Sequence, residues 1–110
     1  MKKYLVIAYA PFEALAKMSN MSPEQQAEGM KPWLAWKESM GDKLIDFGSP
    51  LMGGIRLLPD GSSEMSKKDV TGYSIIQAND MAEAKDLLKN SPHLTWVEGC
   101  SIELYEFATM

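Results

Sequence analysis

Val70-Thr-Gly-Tyr-Ser-Ile-Ile-Gln-Ala78 is rich in β-branched and aromatic residues and free of proline, the composition of a strand. Asn79-Asp-Met-Ala-Glu-Ala-Lys-Asp-Leu-Leu-Lys-Asn90 follows at once, polar capping residues leading into helix formers. Ser91-Pro-His-Leu-Thr-Trp-Val-Glu-Gly99 reads as a loop, and Ser101-Ile-Glu-Leu-Tyr-Glu-Phe107 as a second strand. This strand–helix–strand unit decides the fold class. It also leaves the only histidine, His93, in the connecting loop.

Upstream, residues 3–10 predict a first strand that Pro11 stops. Lys2 and Lys3 before an apolar run imitate a secretory leader. That run spans only about seven residues before Pro11 stops it, which favours a strand over a leader, and it is far below the ~20 of a membrane span. Residues 12–18 fit a short helical turn or an ordered loop. Ser22-Pro23-Glu24-Gln25 is a capping box with proline at the first helical position, and Gly41 stands where a C-terminal glycine belongs. The helix between them carries Ala27, Met30, Leu34 and Met40 at the spacing of one buried stripe, widened by Trp33 and Trp36. Pro32 should kink that helix or divide it after Lys31.

Residues 44–48 predict a short strand entering a turn or bulge at Ser49-Pro50. Gly53-Gly54 introduces residues 55–58, and Pro59-Asp60-Gly61 has turn chemistry, proline presetting φ and glycine allowing positive φ. Residues 62–68 predict a hairpin arm or surface loop. The order β-α-β-(β)-β-α-β is that of a split, ferredoxin-like α+β domain: an antiparallel sheet with both helices on one face. In the last strand Ile102 and Leu104 share one side, and Glu103, Tyr105 and Phe107 the other. That second face is too apolar for water and too polar for a dry core. A homodimer enclosing a semi-polar cavity for a small molecule reconciles the two.

At 110 residues the chain makes one domain, and 45% apolar residues give it a core. A net charge of −4 opposes nucleic-acid binding and attachment to an anionic membrane. A single cysteine, Cys100, excludes an internal disulfide, reads as inert packing, and fits the reducing cytoplasm. Nine methionines are expected mainly as core fillers.

His93 has two readings: a general acid/base or ligand-orienting donor, or a cation capping the carbonyls of the second helix. Asp46 and Glu103, acids in predicted strands, are its candidate partners, or else solvent-facing residues of an edge. Trp96 is a pocket wall or a lid over the core. One His and one Cys cannot form a Cys/His zinc cluster, which leaves a His-plus-carboxylate site open; no phosphate loop or nucleophile elbow occurs, and no cofactor is implied.

The run Val70-Thr-Gly-Tyr-Ser-Ile-Ile-Gln-Ala-Asn-Asp-Met-Ala-Glu-Ala, with Ser91-Pro92-His93-Leu94 and Gly99-Cys-Ser-Ile-Glu-Leu-Tyr-Glu106, resembles the YCII-related family. Asp46-Phe-Gly48-Ser-Pro50 resembles that family's strand-end Gly-Pro region. The resemblance covers most of the chain and is closest in the C-terminal half. It implies a ferredoxin-like fold that dimerises into an α+β barrel with a small-molecule cleft. Some members carry a histidine in the first long helix, proposed as catalytic with an aspartate. Here that neighbourhood is Lys31-Pro32-Trp33, and Asp60-Gly61 continues as Ser62-Ser63 rather than as the Asp-Gly-Pro-Phe motif of a related subgroup. His93 with Asp46 is the pair this sequence offers instead, with Glu103, Tyr105 and Trp96 as ligand contacts.

Overall fold

Alternation of apolar residues organises the first strand. In the computed structural model, which describes residues 1–11, 13–14, 21–66, 69–96 and 98–108, strand β1 (Lys2–Tyr9) buries Tyr4 and Val6. Its other residues, Leu5, Ile7 and Tyr9, turn to the opposite side and stay half-buried. Of the turn expected over residues 12–18, all but 13 and 14 lie outside the described residues.

Helix α1 (Pro23–Met40) starts at the predicted cap. The Gln25 amide donates to Ser22 Oγ at 3.2 Å, and the Ser22 amide donates to Gln25 Oε1 at 2.9 Å. Of the two outcomes expected at Pro32, division does not occur: the helix runs unbroken through it. The proline removes one amide, which would have served the Glu28 carbonyl, and both residues are exposed, so solvent can take that oxygen. Nor is Ala27-Met30-Leu34 a buried stripe: all three are exposed, and the helix buries Trp36 and Met40, with Trp33 half-buried. Only the second half of α1 reaches the rest of the fold.

A 3-10 turn (Gly41–Lys43) leads into β2 (Leu44–Pro50), and a hairpin of β3 (Ile55–Leu57) and β4 (Ser63–Met65) follows. The predicted turn closes the hairpin. The Gly61 amide donates to the Leu58 carbonyl at 2.9 Å, Gly61 has φ 88°, and Asp60 Oδ1 accepts from the Ser62 amide. Residues 67 and 68 of the predicted arm lie outside the described residues. Strand β5 (Val70–Ala78), helix α2 (Met81–Leu88), a second 3-10 turn (Pro92–Thr95) and β6 (Ser101–Glu106) complete the chain. The α2 N-cap is Asp80, whose carboxylate accepts from the Glu83 amide.

The main sheet has the order β2-β5-β1-β6 with every neighbour antiparallel, and β3-β4 forms a separate two-stranded sheet. The core lies on one face. Tyr4, Val6, Ile76 and Ala78 from the sheet meet Trp36 and Met40 of α1 and Ala84 and Leu88 of α2, with Leu44, Phe47, Ile102 and Leu104 at the margin. Lys37 Nζ stands 5.1 Å over the Phe47 ring and joins α1 to β2. The methionines do not fill this core as expected. Met40 is buried, but Met1, Met21, Met30, Met52, Met65 and Met81 are exposed.

Strand β2 slips register twice against β5. Gly48, at φ 81°, makes the second slip possible, since a Cβ there would collide with the Tyr73 carbonyl. Among the described residues no helix is long and apolar enough to cross a membrane.

Candidate functional site

The sheet face away from the helices carries the polar groups. One row across it runs Ser49, Tyr73, Ile7, Glu103, and the next runs Asp46, Ile75, Leu5, Tyr105. An apolar floor of Leu5, Ile7 and Ile75 thus has an acid at each edge. Asp46 and Glu103 sit on the outer strands, three strand spacings across and one row along, roughly 16 Å apart.

Glu103 gathers the tyrosines. Its Oε1 accepts from Tyr9 Oη at 2.6 Å and from Tyr105 Oη at 2.7 Å. These are short, charge-assisted bonds. The hydrogen bond to Glu103, then burial, then the carboxylate's charge push the Tyr9 phenol up to about 12. The same hydrogen bond and charge raise Tyr105. A phenol held so high stays protonated through neutrality. It works there as a hydrogen-bond donor, not as a base.

Asp46 is committed locally. Its Oδ1 accepts from the Gly48 amide at 2.8 Å and steadies the β2 bulge, and Tyr73 Oη approaches Oδ2 at 3.4 Å, a weak contact.

His93 lies under α1, on the other side of the sheet. It is 3% exposed, flanked by Trp33 at 6.0 Å and Trp96 at 6.1 Å between ring centroids. Ser91 caps its turn by accepting from the His93 amide at 3.3 Å. Among the described residues the ring bonds no helix carbonyl. Its Nε2 stands 2.7 Å from the carbonyl of Tyr9, at the end of β1. A carbonyl only accepts, so Nε2 carries the proton.

Of the predicted site residues, Glu103 and Tyr105 are therefore brought together, as are His93 and Trp96. Asp46 stands apart from both groups. Among the described residues no hydrogen bond joins His93 to Asp46 or Glu103. Sequence reasoning missed Tyr9, which alternation in β1 places beside Leu5 and Ile7, and Trp33 as a neighbour of His93. Cys100 is half-buried before β6. Among the described residues no group of three His, Cys, Asp or Glu is arranged to hold a metal ion. Compared with known proteins, the chain matches no family model and no curated relative.

Proposed function

We propose that this chain is a YCII-related, ferredoxin-like protein that forms a homodimer in the cytoplasm and binds a small molecule on its open sheet face. One observation carries this reading: a carboxylate held by two tyrosines on a floor of Leu5, Ile7 and Ile75. Such a surface suits a ligand with an apolar body and a hydrogen-bond-donating or cationic end. The strand order, with both helices on one side, supports the ferredoxin-like assignment. The one hydrogen bond of the His93 ring among the described residues, to a backbone carbonyl, favours binding over proton transfer by that ring.

Surface area supports the second copy. The chain exposes 7923 Å², whereas a monomeric protein of 12.3 kDa exposes about 6,100 Å². The excess, about 1,800 Å², matches one partner's share of an obligate dimer interface.

A thermal-shift screen comparing apolar amines with apolar carboxylates tests the site. Amines should raise the melting temperature of the wild type, and Glu103→Gln should abolish that rise. An equal rise in Glu103→Gln places the ligand elsewhere.

A further inference from the structure

The two groups of polar residues lie on opposite faces of the sheet, yet they meet at one residue. Tyr9 sends its hydroxyl to Glu103 on the open face and offers its carbonyl to His93 from the covered side. It stands where the β1–β5 register slips, Ala8 pairing with Gly72 and Tyr9 with Val70. The bulge disturbs the ladder to β5 on one side, while Tyr9 keeps its pairing with Ser101 of β6 on the other. We infer that His93 is a positioning residue, whose Nε2–H holds the Tyr9 backbone at this bulge and so fixes the Tyr9 hydroxyl on Glu103 across the sheet.

The ring is built to hold a position. It is buried between Trp33 and Trp96, its turn is capped by Ser91, and its own carbonyl accepts from the Trp96 amide at 3.3 Å. A 2.7 Å bond from so constrained a donor leaves the acceptor little freedom. Displacing the Tyr9 backbone by a few tenths of an ångström would lengthen the 2.6 Å bond at its other end. The inference rests on the proposed function only in calling the Tyr9–Glu103–Tyr105 group a ligand site.

The experiment is made on ligand-free protein with isotope-labelled tyrosine Cζ, the Tyr9 signal being assigned from Tyr9→Phe. In His93→Leu the Tyr9 signal at neutral pH should move toward that of free tyrosine, and its titration should fall by about one pH unit. Tyr4, which donates to Glu106 on the covered face, should not change. His93→Gln, which can place an amide N–H where Nε2–H stands, should restore the wild-type signal. Should the leucine variant fail to fold, His93→Gln and His93→Asn give the same comparison, because the shorter amide cannot reach the carbonyl. A Tyr9 signal unmoved in His93→Leu, or displaced equally in the glutamine and asparagine variants, overturns the inference. Failure of the amine screen leaves it standing.

Discussion

Tyr9 and Tyr105 donate to one oxygen of Glu103, so each keeps its proton further up the pH scale than a free phenol. The folded chain holds the Tyr9 proton more tightly than the unfolded chain, whose phenols ionise near 10.0. The stabilisation is therefore whole below about pH 10 and is lost as pH climbs through about 12. Urea midpoints should be steady up to about pH 10 and fall above it. Tyr9→Phe should flatten part of that fall; an unchanged slope would mean the hydroxyl is not held by Glu103. Half of this cluster is legible in the sequence. Alternation in the last strand puts Glu103 beside Tyr105, but Tyr9 arrives from 94 residues away, and only strand register can bring it. His93 is legible as a loop residue after a helix. Its acceptor, a carbonyl 84 residues earlier, is not.

The elements with local signals stand where the sequence puts them: β5 at Val70–Ala78, and α1 between a capping box and Gly41. The failure over Ala27, Met30 and Leu34 has another origin. Periodicity identifies a face, whereas sheet width and helix placement decide which turns of that face are covered. Ser22→Ala should lower stability by about 1 kcal/mol in urea unfolding, because the Gln25 amide loses its cap. Gly48→Ala should cost at least about 2 kcal/mol, since its Cβ meets the Tyr73 backbone at positive φ. A neutral result there would mean β2 can leave β5 without loss. At the start of the same strand Lys43 Nζ meets Glu83 Oε1 at 3.0 Å and ties α2 to the turn before β2. Its hydrogen bond, with that from Asn79, holds the Glu83 carboxyl below the usual 4.5. This contribution is present above 4.5 and is lost as pH falls through the depressed value, so Glu83→Gln should blunt acid unfolding.

The whole molecule is thin, 43 × 38 × 21 Å, with a radius of gyration of 15.3 Å, where a compact chain of this length has about 13 Å. Among the described residues its large, fully buried side chains are only Tyr4 and Ile76. The hairpin contributes to this shape. Arg56 pairs with Glu64 on one side, while Ile55, Leu57 and Met65 are exposed on the other, and a two-stranded ribbon is marginal in water. Light scattering at micromolar concentration should give twice the chain mass, and Met65→Lys should shift the population toward single chains. A slab whose two described helices both lie on one side leads, for the proposed dimer, to a consequence of mass action. In that dimer each chain's cohesion depends on how many others surround it, so the melting temperature should climb with protein concentration, and dilution alone should loosen the fold.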